Sequence, residues 1–326
     1  MFAISIALLG LLFLVIGGDL LVRGAVNIAQ FVGLSPLVIG LTLVGFGTST
    51  PELVTSVRAS MAGAPGIAYG NIVGSNIANI LLILGLSAIC VDLAVSSKVL
   101  KRDGLMMFAA TLGFAGIAAF GEINRVVGAL GLAWLVAYIF IAIKDERRRP
   151  VVEAGALSDK AQAAEGVDPA LNPMTPPSAN LLISIGLVWA GLAGVIAGGY
   201  LLVDGSITLA RNWGVSETII GLTIVAIGTS APELVTSLMA ALKKEGELAF
   251  GNVVGSNIYN ILAIGGATAL IAPSRVPESI IAFDMVVMIL ASVALLVFAV
   301  TGAKVRRWEG VILVVGYASY IIVLWP

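Results

Sequence analysis

The chain lacks histidine altogether and has one cysteine in 326 residues. Without imidazole there is no histidine-ligated metal centre, no Ser-His-Asp catalysis and no histidine proton relay. The lone Cys90 cannot form an intrachain disulfide and reads as a small apolar filler. Charge is also scarce. Only 11% of residues are charged and the net charge is −1, so there is no basic field to attract nucleic acid. No nucleophile–base pair and no paired aspartates of a protease-like motif occur, so an enzyme is not expected, nor a cofactor. The segment from Met1 to Gly18 is apolar but lacks the basic start of a signal peptide.

What is present in excess is apolar sequence. Hydrophobic residues make up 59% of the chain and the mean hydropathy is +1.06. A soluble domain is nearer half apolar and a quarter charged. The expected fold is therefore all-α and embedded in a lipid bilayer. Ten membrane-spanning helices are expected over 3–28, 36–61, 67–91, 104–120, 126–144, 180–209, 217–242, 248–271, 280–301 and 307–325.

A long segment occurs twice. Gly17 to Gly85 matches Gly198 to Gly266 without a gap, with about half the positions identical. Gly17-Gly18 recurs as Gly198-Gly199, so the first helix belongs to the structural unit and is expected to be retained. The duplication divides the chain into a first five-helix unit, 1–144, a linker, 145–178, and a second five-helix unit, 179–326. The most similar stretches are 40–85 and 221–266. Five helices per unit is an odd number, so the second unit enters the membrane from the opposite side, as an inverted repeat. The linker carries Pro169, Pro173, Pro176 and Pro177 and no apolar period. It reads as flexible and too short for a sizeable regulatory domain. Arg23, Lys98, Lys101, Arg102, Lys144, Arg147 to Arg149, Lys160, Lys243, Lys244, Lys304, Arg306 and Arg307 gather on one side; Arg58, Arg125, Arg211 and Arg275 fall on the other. The cation-rich side is expected to be cytoplasmic in the cell membrane, with the linker inside and both termini outside.

Each copy embeds polar groups in apolar surroundings. The first has Gly47-Thr48-Ser49-Thr50-Pro51-Glu52 and Gly70-Asn71-Ile72-Val73-Gly74-Ser75-Asn76-Ile77-Ala78-Asn79. The second has Gly228-Thr229-Ser230-Ala231-Pro232-Glu233 and Gly251-Asn252-Val253-Val254-Gly255-Ser256-Asn257-Ile258-Tyr259-Asn260. A proline lacks the N–H that would bond the carbonyl four residues back, so each helix bends at Gly47 or Gly228. A glutamate follows each bend about midway along its helix. A charge at that depth is costly unless paired or coordinated, and no lysine or arginine repeats beside both glutamates. Asn71, Ser75 and Asn79 share one helical face, as do Asn252, Ser256 and Asn260. Those faces serve either close helix packing through Gly70-x-x-x-Gly74 and Gly251-x-x-x-Gly255 or a polar site. Two carboxylates, hydroxyls, amides and freed carbonyls are all hard oxygen ligands, suited to a cation such as Ca²⁺ with about 6–8 oxygens. Two negative charges balance one Ca²⁺ or two Na⁺. Asp19 and Arg23 are spaced to pair. Asp103 and Asp284 match across the copies as helix N-caps.

The paired Gly-Thr-Ser-x-Pro-Glu and Gly-Ser-Asn-Ile elements resemble the repeats of the sodium/calcium exchanger family, within the wider cation/calcium exchanger superfamily. The resemblance implies a prokaryotic-type antiporter that moves Ca²⁺ against Na⁺ by alternating access. It places the family's central calcium site on Glu52 and Glu233 with the carbonyls of Thr48 and Thr229. It places flanking sodium sites on Ser49, Ser230, Ser75 and Ser256 with the carbonyls of Gly45 and Ala226. Asn79 takes a further polar position. Asn260 departs from the pattern, since exchangers of this family carry aspartate there. Alternatives are H⁺- or K⁺-coupled cation exchange and, in another class, a cation channel. The second element has Gly74 and Gly255 where the proton-coupled branch resembles Gly-Asn-x-x-Glu. The oligomeric state is not legible.

Overall fold

The computed structural model describes residues 2–33, 45–96, 99–146, 156–168 and 180–325. Its helices are α1 (Phe2–Phe31), α2 (Thr50–Met61), α3 (Pro65–Cys90), α4 (Val99–Phe120), α5 (Arg125–Glu146), α6 (Ala156–Val167), α7 (Leu181–Trp213), α8 (Glu217–Thr229), α9 (Ala231–Leu242), α10 (Gly246–Ile271), α11 (Ile280–Val300) and α12 (Arg307–Leu324). Among the described residues eight helices are long and apolar enough to cross a membrane. A ninth span is made by α8 and α9 if that pair, bent by 49°, is one crossing. The expected helix over 36–61 begins in residues outside the described set; its described part is a short turn, Gly45–Gly47, followed by α2.

Helices α3 and α10 form the centre. Each is buried along nearly its whole length, whereas α1, α5 and α7 turn most of their apolar side chains outward. An all-round apolar helix is stable in the middle, and lipid is the natural solvent for the outward Leu8, Leu12, Phe140 and Trp189. Helices α1 and α7 cross closely because glycines line the contact. A Cβ at Gly17 would fall on the backbone of Val195, and one at Gly198 on the backbone of Leu14.

Two-residue strand pairs tie the loops. β1 (Leu93–Ala94) pairs antiparallel with β4 (Lys304–Val305), and β2 (Glu122–Ile123) with β3 (Ser274–Arg275). By the repeat offset β1 corresponds to β3, yet each pairs with a strand from a different loop of the other copy. Two further contacts recur across the copies. The Tyr138 hydroxyl donates to Asp103 at 2.8 Å, and that of Tyr320 to Asp284 at 2.8 Å. Asp103 and Asp284 sit at the ends of wide π-helical turns, Val99–Gly104 and Ile280–Asp284. They anchor the neighbouring helix through a tyrosine rather than cap a helix start.

Two expectations change. Cys90 is exposed at the end of α3; a helix terminus needs no apolar filler. The linker is not wholly irregular. It contains α6, whose Asp159, Lys160, Ala161, Ala163 and Ala164 are buried. Its buried apolar residues are alanines, too small to raise a hydrophobic period, but small enough to fit against packed helices. Asp19 and Arg23 do pair, at 2.9 Å.

Candidate functional site

The two bends meet at the centre of the molecule. Ser49 and Ser230 each end a short turn and precede a proline-bearing helix start, with nearly identical backbone angles (φ −91°, ψ 8° and φ −80°, ψ 9°). Proline fits the first turn of α2 and α9 because an N–H there has no intrahelical partner anyway. Glu52 and Glu233 follow in that first turn, where the helix dipole favours negative charge. Both are 2% exposed or less.

The copies exchange hydrogen bonds. Ser49 Oγ donates to Glu233 Oε1 at 2.9 Å, and Ser230 Oγ to Glu52 Oε1 at 3.0 Å. The second oxygen of each carboxylate has no hydrogen-bond partner among the described residues. Asn71 and Asn252 brace the bends rather than facing each other. Asn71 Nδ2 donates to the Glu52 carbonyl at 3.2 Å and Ser56 Oγ at 2.9 Å. Asn252 Nδ2 does the same for the Glu233 carbonyl at 3.3 Å and Ser237 Oγ at 2.7 Å. Each asparagine thereby fixes where its carboxylate sits.

The remaining sequence candidates surround this centre. Ser75 and Ser256 are fully buried on α3 and α10. Ser75 Oγ has no partner among the described residues, whereas Ser256 Oγ is engaged. Thr229 Oγ1 lies 3.0 Å from Asn71 Oδ1, while Thr48 Oγ1 has no partner among the described residues. The Ala226 carbonyl accepts the Ser230 N–H at 3.1 Å. Gly45 opens the matching turn of the first copy. Asn79 and Asn260 fall in π-helical stretches, Ala78–Leu84 and Tyr259–Gly265, which interrupt the regular ladder next to the site. Both carry a side-chain oxygen without a partner among the described residues, and Asn79 Nδ2 donates to Asn257 Oδ1 at 3.0 Å. Asn257 was visible in the Gly-Ser-Asn-Ile element, but only the fold shows it bridging the two copies.

Sequence reasoning counted Lys160 only among the cytoplasmic cations and missed its place in the site. Its ammonium reaches the site from α6, 2.5 Å from Ser256 Oγ, 3.3 Å from Ser49 Oγ and 3.4 Å from Glu233 Oε1. The side chain is fully buried. Burial holds the Lys160 ammonium below the ordinary lysine range, and the nearby Glu233 and Glu52 oppose that shift. No repeat partner and no motif flagged it in the sequence.

Among the described residues no three histidine, cysteine, aspartate or glutamate side chains cluster. A cation here would draw on two carboxylates and on neutral hydroxyl, amide and carbonyl oxygens. That donor set suits Ca²⁺ or Na⁺ and is poor for softer metals. A cavity of about 400 Å³ lies beside the bends, lined by Gly18, Asp19, Thr48, Pro51, Pro232 and Asp168 among others.

Interrupted helices from two sequence copies, meeting at buried charges inside an all-helical membrane protein, are the architecture of a secondary transporter. More narrowly, the chain belongs to the sodium/calcium exchanger protein family, whose profile matches residues 2–144 and 183–325. It is 38% identical to the putative antiporter CaxA of Alkalimonas amylolytica over 96% of this chain and 95% of that protein. It is 36% identical to the sodium/calcium exchanger MaX1 of Methanosarcina acetivorans over 98% and 97% of the two chains. Among solved structures it resembles the sodium-calcium exchanger NCX_Mj soaked with Na⁺ and Sr²⁺, with a TM-score of 0.63, 33% identity and coverage of 98% and 97%.

Proposed function

We propose that the chain is a secondary antiporter that exchanges Ca²⁺ for Na⁺ across the cell membrane by alternating access. The observation that carries this is the reciprocal pair Ser49–Glu233 and Ser230–Glu52 at two facing helix bends. Each carboxylate is oriented by the other copy, so both are aimed at one small volume. A doubly negative volume is matched by one Ca²⁺ or two Na⁺. It can therefore trade one for the other without leaving uncompensated charge in the membrane.

In this reading Glu52, Glu233 and the carbonyls of Thr48 and Thr229 hold Ca²⁺. Ser49, Ser256 and the Gly45 carbonyl form one flanking Na⁺ site, and Ser230, Ser75 and the Ala226 carbonyl form the other. Asn79 and Asn260 complete the polar wall. The chain consists of two inverted five-helix units, 1–144 and 179–326, ten helices in all. Helices α1 and α7, joined along a glycine seam, slide against the rest to open one face at a time. The crossed strand pairing supports the inversion. Loops that correspond by sequence lie in different pairs, with Lys304 in one pair and Glu122 and Arg275 in the other. Cation bias then places 145–178 in the cytoplasm and both termini outside.

The test is ⁴⁵Ca²⁺ uptake into proteoliposomes holding the full chain, with and without an outward Na⁺ gradient. Uptake that depends on internal Na⁺ is the expected result. Equal uptake without any counter-cation describes a channel, and uptake driven only by H⁺ or K⁺ moves the chain to another branch of the superfamily.

A further inference from the structure

We propose that Lys160 is a tethered competitor for a monovalent cation, so that α6 is a built-in blocker of one half of the transport site. The inference rests on the exchanger reading for the identity of the competing ions, but its geometry stands by itself. An ammonium has three N–H donors and one positive charge, and no acceptor. Three oxygens surround Lys160 Nζ: Ser256 Oγ at 2.5 Å, Ser49 Oγ at 3.3 Å and Glu233 Oε1 at 3.4 Å. These are the two serines of one flanking site and a carboxylate of the central one, occupied by a charge that is covalently part of the chain.

The two-fold relation between the sequence copies supplies an internal control. The corresponding trio is Ser75, Ser230 and Glu52. There the serine–carboxylate bond forms, as it does beside Lys160, but Ser75 Oγ has no hydrogen-bond partner among the described residues. The asymmetry extends outward. Thr229 Oγ1 meets Asn71 Oδ1 at 3.0 Å, whereas Thr48 Oγ1 and Asn252 Oδ1, the corresponding atoms, both lack partners among the described residues. The half of the site that holds Lys160 is the half whose cross-copy threonine–asparagine bond is not made.

Packing shows how α6 is seated. Gly70 on α3 lies against the backbone of Gly221 and Leu222. Its counterpart on α10, Gly251, lies against Asp159 of α6, and a Cβ there would overlap that side chain. Ala161 and Ala164 form a small apolar cluster with Val22, Val26 and Ala29 of α1. At the end of α6, Asp168 pairs with Arg23 of α1 at 2.7 Å, and the Gly166 carbonyl accepts from Lys243 Nζ at 2.6 Å. A short helix seated on alanines, polar contacts and one buried lysine is suited to leave when a free cation takes the ammonium's place. Replacing a monovalent ammonium with Na⁺ leaves the charge of the site unchanged. Any ligand that binds the withdrawn state alone shifts the balance toward it. Because α6 approaches from one side only, competition is one-sided.

Limited trypsin digestion of the full chain in detergent reads the seating of Lys160 directly. Trypsin cuts after lysine, and a fragment beginning at Ala161 reports that bond alone. In choline chloride the bond is expected to be protected. Rising Na⁺, with choline held constant in sum, is expected to speed its cleavage severalfold and saturably. Cleavage whose rate is the same in choline and in saturating Na⁺ overturns the proposal. In proteoliposomes, Lys160→Gln is expected to lower the half-saturating Na⁺ severalfold on the linker side and leave the other side unchanged, with Lys160→Arg closer to the native protein. An unchanged Na⁺ dependence in a folded Lys160→Gln protein also overturns it. Failure of the exchanger reading looks different. Cation-dependent cleavage with no Na⁺-driven Ca²⁺ flux upholds the blocker and rejects exchange, while exchange with cation-independent cleavage does the reverse.

Discussion

Ser49 donates its hydroxyl proton to Glu233 at 2.9 Å although the two residues are 184 positions apart. Ser230 and Glu52 repeat the bond in the opposite sense. Each copy braces the backbone of its own glutamate through an asparagine, but neither can orient its own carboxylate oxygen. Each supplies the carboxylate and borrows the hydroxyl that orients it. This explains why the duplication had to be kept in both halves for the site to exist, and why the polar elements are spaced alike in each.

That reciprocity makes a double prediction. Glu52→Gln and Glu233→Gln each keep an oxygen for the facing serine but remove a charge. Both proteins are expected to fold as judged by gel filtration, and to lose Na⁺-driven ⁴⁵Ca²⁺ exchange by about a hundredfold or more, since even outer ligands of metal sites are worth 10–100-fold. Exchange at the native rate in either variant contradicts the assignment of the carboxylates to the cation.

Two equivalent glycines are expected to respond differently. A methyl at Gly70 would collide with the backbone of Gly221 and Leu222, which a packed helix cannot yield. Gly70→Ala is expected to cost about 1–3 kcal/mol, the range for overpacking a core, seen as a lower melting temperature. A methyl at Gly251 would collide with Asp159, a side chain on α6. Gly251→Ala is expected to unseat α6 with little change in melting temperature, and to expose the Lys160–Ala161 bond to trypsin without Na⁺. Equal destabilisation by both substitutions would show that α6 is an integral part of the core.

Much of this was readable before any coordinates. The apolar excess gave a helical membrane protein, and the proline bends and glutamates emerged from the gapless repeat because chemistry at matched positions is hard to place by accident. Other parts were not readable for physical reasons. Asp103 and Asp284 looked like helix caps because sequence shows a neighbour along the chain and hides a tyrosine 35 or 36 residues away. The linker looked irregular because alanine carries little hydrophobic signal. Lys160 has no counterpart in the other copy, so the duplication does not mark it. A single charge in a polar stretch reads as solvated until the fold puts it beside Ser256.

The seating of α6 is expected to depend on pH through Glu165. Burial raises this carboxyl from its usual range to about 7. The seated state thus prefers the neutral acid, and ionisation works against it. As pH rises above the ordinary glutamate value and through about 7, seating weakens; in acid it is fully favourable. Glu165→Gln imitates the neutral form at every pH. The ratio of native to Glu165→Gln cleavage at Lys160, measured without Na⁺, cancels trypsin's own pH response. It is expected to be near one at about pH 5 and to rise by about pH 8. A ratio that stays constant over this interval shows that Glu165 does not contribute.

Asn260 bears on how many charges the site carries. Its side chain is 1% exposed, lies in the π-helical stretch of α10, and presents an oxygen with no partner among the described residues. An amide there contributes oxygen and no charge, so the negative charge of the centre rests on Glu52 and Glu233, with the Lys160 ammonium against Glu233 while α6 is seated. In Asn260→Asp a third carboxylate would enter a buried volume that already holds two. It must then be neutralised by a proton or by another cation. If a cation does so, the variant is expected to move a different net charge per Ca²⁺, read as a changed dependence of ⁴⁵Ca²⁺ uptake on an imposed membrane potential. If a proton does so, the pH profile of exchange is expected to steepen near neutrality while the potential dependence stays. A variant that matches the native protein in both measurements would show that the amide at this position sets neither coupling nor selectivity, and that the charge of the cargo is decided by the two glutamates alone.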